Sequence, residues 1–568
     1  MLGEIADRLL TRSSKASLVK HLCNISSYHR IQGSRGLIEA AEYIRDELED
    51  LGCDVEFLKF SYSTPPRWAL RLAGWDVSAA ELWVTSPWRK RIHSFPEIPT
   101  SVVAHSPGGE FEGELKVVSG DEEKWGDLAD SVVLACWRGT DRYLSLCRRG
   151  VKAVLFYRPG APKDAVPYLG LFLSPEDLGV AKAPAFSVSL STAVKLRAAL
   201  RKYGRVVLRG FVNSNFTSPP PCVVVSASFG RGDREAHLTA HYCHAAGLIN
   251  DNASGAAALM AMAESLARND GGLVRGGVLR LLWVPEYWGS LSYLQALEGA
   301  GGLGCIACSI NLDMIGEAQQ ITGSTLLMVR PPIHMLDAVE PLALKALDST
   351  LGILGKPLGP TGEHRPLSFS VSNFGSGSDH EPYVAYGIPS VSLINWPDRY
   401  YHTDLDDVSK FDPSLALSVA AAATEALVRR LQGGVSEVLV KNYVRLARGL
   451  DVLRVSGDEH LAELRDLLYM EGLKAFAEGP KPSKVLGGVP GLRRLLKSVE
   501  GSEAYVLRRL GRRNWFRSAL TLTLALLRGG AGCVGCRLAL QAELGVRIRE
   551  SEYNTILSAL ERLGAIAF

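Results

Sequence analysis

The residues best suited to chemistry in this sequence follow one another between positions 241 and 402. His241, His244 and Asp251 fall within HYCHAAGLINDNASG, Glu286 opens PEYWGS, and Asp313 lies inside NLDMIG. Asp379 and His380 sit in GSGSDHEPY, and Tyr401 and His402 in RYYHTDLDD. Histidine and carboxylate together supply the nitrogen and oxygen donors that zinc and similar divalent ions take, with three protein ligands and an open position typical of a catalytic site. Each residue alone has a plainer reading. Asp251, before an alanine-rich run, can be a helix cap. Glu286 can be a charge at a helix start, Asp313 a structural hydrogen-bond acceptor, and a lone histidine is more often structural than a ligand. Their joint appearance behind successive apolar runs carries more weight, because a carboxylate at the end of a buried strand is costly without a partner or a task.

The elements that must position these residues alternate in type. Apolar runs at 222–227, 236–240, 277–284, 305–314 and 390–394 read as strands, and periodic segments at 253–268, 290–297, 333–351 and 413–431 as helices. Such alternation implies a largely buried sheet with helices on both faces. In such sheets ligands bind beyond the carboxyl ends of the strands, where the chemistry-bearing residues fall. Upstream, Ile38, Ala41, Ile44 and Leu48 have helical spacing, Gly52 ends that helix, and DVEFLKF alternates like a strand.

With these motifs in hand, the sequence resembles the aminopeptidase Y and glutaminyl cyclase family of zinc-dependent exopeptidases. The resemblance covers roughly residues 15–62 and 220–435 and rests on NDNASG, NLDMIG, SDH followed by GIPSV, and YHT-x-x-D. It implies that His241 and Asp313 bind one metal, that Asp251 bridges two, and that His402 binds the second. It also implies that Glu286 is the general base taking a proton from metal-activated water, with Tyr401 placed to stabilise the oxyanion. Two departures matter. The family's base is followed by a metal-binding glutamate, and here that position is Tyr287. The family's His-x-Asp reads His241-Tyr242-Cys243, so an outer support for the ligand histidine is replaced by a thiol. His244, Cys243 or Glu286 can supply the missing ligand, and the first ligand is left open between His241 and His244. The expectation is one tight zinc with a second position weak or altered.

The expected fold is α/β, a three-layer sandwich with a mixed, mostly parallel central sheet. Residues 1–94 form the N-terminal part of the peptidase domain, 95–217 an inserted α/β domain similar to the protease-associated domain, 218–435 the catalytic domain, and 436–568 a helical, winged-helix-like region. At 568 residues the chain exceeds one ordinary core. A net charge of +3 gives no reason to expect nucleic-acid or membrane binding by the whole surface. No 18-residue apolar run spans a membrane, and the acidic start lacks a signal peptide's apolar stretch, so the cytoplasm is the expected compartment. The ten cysteines read as reduced thiols. Residues 501–568 carry ten arginines and five glutamates, but the helix expected to face DNA offers Asn554, Ser558 and Arg562 among acids. Packing, or assembly into a homo-oligomer, is the expected role of this tail. The function expected is an aminopeptidase acting on peptides. An amidohydrolase or cyclase acting on modified peptides, or a catalytically dead metal- or peptide-binding protein, are the alternatives.

Overall fold

The computed structural model describes residues 3–433 and 481–568, apart from 68, 121, 270, 271, 336, 354, 355, 358–362, 365, 366, 489–494, 497 and 545. An eight-stranded sheet forms the larger unit, in the spatial order Asp54–Phe60, Cys222–Arg231, Gly277–Val284, Glu235–His241, Ile306–Asp313, Ser390–Trp396, Thr325–Val329 and Phe369–Ser372. Its four central strands, Gly277–Val284 to Ser390–Trp396, run parallel. Antiparallel pairs flank them on both sides. The central strands are near-continuous apolar runs because both faces are covered. On one face lie the helices Glu4–Arg12, Lys15–Ser27, Arg35–Asp50, Gly255–Ala267, Val339–Leu351 and Pro413–Gln432, which share a single core with the sheet. The other face is covered by Trp288–Gly299 and His380–Ala385, through Leu291, Leu294 and Tyr383. The result is a three-layer α/β sandwich with a mixed sheet.

Gly255–Ala267 is apolar on all sides because it is buried on all sides. Pro413–Gln432 starts where the side chain of Asp412 accepts hydrogen bonds from the backbone N–H of Ser414 and Leu415, with proline at the first helical position. The segment expected as one helix over 333–351 divides into a short turn, Ile333–Met335, and the helix Val339–Leu351. The strands Thr325–Val329 and Phe369–Ser372 are too short and too flanked by polar residues to stand out in the sequence.

A second sheet of seven strands runs Lys90–Phe95, Gly74–Ser86, Val207–Thr217, Gly109–Val117, Val132–Cys136, Ala153–Tyr157, Ala185–Ser187. It begins at Gly74 rather than near residue 95. The 13-residue strand Gly74–Ser86 pairs along most of its length with Val207–Thr217, a contact between the two ends of the insertion that no local pattern announces.

In the tail, residues 436–480 lie outside the described residues. Beyond them come the helices Gly501–Leu510, Phe516–Arg528, Cys533–Leu544 and Glu550–Arg562, and a strand pair Lys484–Val485 with Ile566–Ala567. Their core is not separate: Leu520, Leu524 and Leu527 pack in one cluster with Met335, Phe374 and Val384. No helix among the described residues is long and apolar enough to cross a membrane. All ten cysteines are unpaired, with Cys308 and Cys536 buried and Cys305 exposed.

Candidate metal centre

The strand Glu235–His241 ends on His241, and the next residues turn away from the sheet. Arg30, fully buried, organises that turn by donating to the carbonyls of Tyr242 (2.6 Å) and Ile25 (2.9 Å). The neighbouring parallel strand ends on Asp313. Asn252 ties the loop carrying Asp251 to that strand: its amide donates to the Leu312 carbonyl at 2.8 Å, and its Oδ1 accepts from the N–H of Met314 and of Gly255, both at 3.0 Å. The peptide bond between Asp251 and Asn252 is cis. Gly255 has to be glycine, since an added Cβ would meet Asn252 Oδ1 and the Leu312 carbonyl at 2.6 Å. Gly255→Ala is expected to destabilise the fold by about 1–3 kcal/mol, the usual range for overpacking a tight core, read as a lowered midpoint of thermal unfolding.

Asp251 is the hub. Its Oδ1 lies 3.5 Å from His241 Nε2, and that nitrogen is 3.3 Å from Asp313 Oδ1. Its other oxygen, Oδ2, lies 2.7 Å from His402 Nε2 and 3.5 Å from His244 Nε2. The two imidazole nitrogens of His244 and His402 are 3.2 Å apart. One carboxylate thus turns one oxygen to each of two donor triads, His241–Asp251–Asp313 and His244–Asp251–His402. Within each triad the ligand atoms lie within 4.8 Å of one another. His241 and His244 fall in different triads, and both also fall in a third group with Cys243 and Glu286. Asp406, two positions after Asp404, accepts from the N–H groups of Asn250 (3.0 Å) and Asp251 (3.2 Å) and fixes the hub from behind.

The electrostatics show how concentrated the charge is. Burial opposes ionisation of Asp251, but the imidazoles of His244, His402 and His241 hold its carboxyl well below the usual range. Burial pushes His244 down to about 3. Burial pushes the Glu286 carboxyl up to about 8, with His241 opposing and Asp379, Asp251 and Asp313 adding to the rise. Asp379 rises to about 6, again chiefly by burial. Acids packed this closely, with Asp313 Oδ1 and Asp379 Oδ2 buried and without a hydrogen-bond partner among the described residues, suit bound cations, whose charge reverses this pressure. Buried imidazole and carboxylate donors fit zinc or a similar divalent ion.

Cys243 takes the place of an outer support. Its Sγ lies 3.7 Å from His241 Nδ1, while His241 Nε2 faces the carboxylates. It also accepts from the Glu286 N–H at 3.3 Å. The thiol thus contacts one candidate ligand and the backbone of the candidate base together. Tyr287 does not fill the vacated ligand position. Its hydroxyl donates to Glu381 Oε2 at 2.6 Å and its N–H to Asp379 Oδ1 at 2.9 Å, so the side chain is turned away. Asp379 thereby braces the turn after Glu286. His380 stands apart, with Nε2 2.6 Å from the Gly375 carbonyl.

His244, Tyr287, Met314 and His402 all have positive φ, at 130°, 61°, 53° and 53°. Such conformations are sparsely populated for these residues and persist only where the surroundings enforce them. Each has a backbone group held by a distant segment. The His244 N–H donates to the Arg30 carbonyl at 2.8 Å, and the Met314 N–H to Asn252. The His402 carbonyl accepts from the Tyr168 N–H at 2.8 Å. Tyr168 belongs to the insertion, and its ring meets His244 and His402 edge-on at 5.3 and 5.2 Å. Tyr401 stacks on His402 with centroids 3.8 Å apart and meets Trp396 at 4.9 Å. Sequence reasoning missed Tyr168, Arg30 and Gln32, whose amide donates to the Glu286 carbonyl at 2.7 Å. They come from segments without a metal-binding pattern.

Residues 223–427 match the sequence profile described as Peptidase family M28. No curated protein matches the chain in sequence. Among solved structures, the fold is similar to a peptidase M28 precursor from Shewanella amazonensis (17% identity, TM-score 0.56, covering 76% of this chain and 96% of that one). It is also similar to a putative peptidase from Clostridium acetobutylicum (15%, 0.51, 99% and 97%). A third similar structure is BSAP, a zinc aminopeptidase from Bacillus subtilis (17%, 0.50, 76% and 98%).

Proposed function

We propose, from the Peptidase family M28 domain that residues 223–427 of this chain form, that the protein is a zinc-dependent aminopeptidase. The observation that carries the reading is the pair of donor triads sharing Asp251, with Glu286 beside them. His241, Asp251 and Asp313 would hold one ion, and His244, Asp251 and His402 a second. Divalent ions bound there acidify water and polarise a carbonyl. The Glu286 carboxylate, on a residue only partly buried as a whole and fixed through its backbone by Cys243 and Gln32, would take a proton from the attacking water and return it to the leaving amine. Burial raises the Tyr401 phenol well above its ordinary range, so it stays protonated and can donate to the developing oxyanion. The resemblance to the aminopeptidase Y group supports an exopeptidase acting at the amino end of peptides. Ten unpaired cysteines support a reducing compartment such as the cytoplasm.

The test is hydrolysis of leucine p-nitroanilide by the zinc-loaded full chain. Chelation is expected to lower the rate at least about 100-fold and zinc to restore it, since the acidified water and polarised carbonyl are lost together. Acetylating the substrate's amino group is expected to abolish cleavage. A rate indifferent to chelator would overturn the metal reading, and cleavage of the acetylated substrate the aminopeptidase reading.

A further inference from the structure

The helix Phe516–Arg528 brings an arginine from the tail to the residue next to Glu286. Arg517 Cζ lies 4.3 Å from the centre of the Tyr287 ring, and its Nε lies 3.1 Å from Glu381 Oε2. Glu381 is fully buried and also accepts from the Tyr287 hydroxyl and from Thr521 Oγ1, both at 2.6 Å. One turn of the tail helix and two segments of the catalytic unit therefore fix the guanidinium by its face and by its Nε edge. The helix itself is docked through Ser518 Oγ, which accepts from the Ser376 N–H at 3.0 Å.

What the arginine leaves unused is the informative part. Glu381 takes only the Nε–H, and the two terminal NH2 groups make no hydrogen bond to the described residues. The side chain is 50% exposed although its surroundings hold it on two sides. By contrast, Arg67 and Arg528 on the adjoining surface both engage Glu298. A guanidinium with a free fork, immobilised in advance, is the donor best matched to a carboxylate, which it grips with two parallel hydrogen bonds. An extended chain advances about 3.3–3.6 Å per residue. Arg517 lies near enough to Glu286 for that carboxylate to help stabilise its charge, so a group one or two residues past the bond facing Glu286 is within its reach.

We propose that Arg517 is a binding residue for a substrate carboxylate on the leaving portion, either the free C-terminus of a di- or tripeptide or an acidic side chain. The proposal rests on the peptidase reading for the orientation of the substrate. It makes the tail part of the substrate site rather than packing alone.

The experiment is calorimetric binding to the zinc-loaded full chain carrying Glu286→Gln, with and without Arg517→Gln, using Leu-Gly, Leu-Gly-amide, Leu-Asp-amide and Leu-Asn-amide. With Arg517 present, Leu-Gly is expected to bind about 10- to 100-fold tighter than its amide, the range of a charge-assisted hydrogen bond. Arg517→Gln is expected to bring the acid down to the affinity of the amide while the amide itself is held. If the discrimination appears instead between Leu-Asp-amide and Leu-Asn-amide, the carboxylate read is that of a side chain. Equal affinities for all four with Arg517 present, or an equal loss for acid and amide in Arg517→Gln, would overturn the proposal. Leucine p-nitroanilide turnover by the natural chain reads the peptidase function separately. Discrimination without turnover keeps the carboxylate site and removes the peptidase, and turnover without discrimination does the reverse.

Discussion

Glu286→Gln is expected to reduce turnover of an aminoacyl substrate by about 10²- to 10⁴-fold, the usual contribution of a positioned general base, while zinc content stays unchanged. The substitution is nearly isosteric, and the contacts that fix this position survive it. The Cys243 thiol accepts from the Glu286 backbone N–H, and Gln32 donates to its backbone carbonyl. Neither involves the carboxylate. The two triads share Asp251 and do not include Glu286, which falls in a third group with His241, Cys243 and His244, so both triads keep their full donor sets in the variant. What disappears is the ability to accept a proton. Metal analysis beside steady-state kinetics decides the matter: loss of zinc would make Glu286 a ligand, and full activity would remove it from the mechanism.

Several of the residues named from sequence stand out because they end or closely follow an apolar run that reads as a buried strand. His241 and Asp313 end parallel strands that pair directly, which is why positions 72 apart face each other. The same logic could not separate His241 from His244. Only the positive φ at His244, enforced by the Arg30 carbonyl, turns the second imidazole toward His402 and gives each histidine its own triad. Tyr287 was legible as a departure from the family pattern but not in its consequence, because its partner Glu381 lies 94 positions away. The insertion's boundary failed for a related reason. Gly74–Ser86 alternates like any strand, and its membership of the second sheet depends on pairing with Val207–Thr217. Tyr168 and Arg517 reach the site from elements whose sequences record only that they pack. A side chain's role at a site built by several segments is written in the tertiary contacts, and periodicity sees one segment at a time.

The two triads differ in charge, and that difference governs the largest effect expected on metal binding. His241–Asp251–Asp313 offers two carboxylates and one imidazole, whereas His244–His402 adds two neutral nitrogens to the shared Asp251. A zinc titration of the natural chain is therefore expected to show one tight ion at the first triad and a weaker second ion. His402→Ala is expected to remove only the weaker one. Asp251→Asn is expected to weaken both together, by at least about 100-fold, since losing even an outer partner of a ligand costs about 10- to 100-fold and here a shared anionic ligand is lost. The backbone of Asp251 is held independently, through its N–H to Asp406 and through the neighbouring Asn252, so circular dichroism should show a folded protein with an empty centre. Two ions of equal affinity in the natural chain would refute the ranking by charge. One ion retained at its natural affinity in Asp251→Asn would refute the shared anionic hub, because the amide carries no charge and leaves a single oxygen for the two triads.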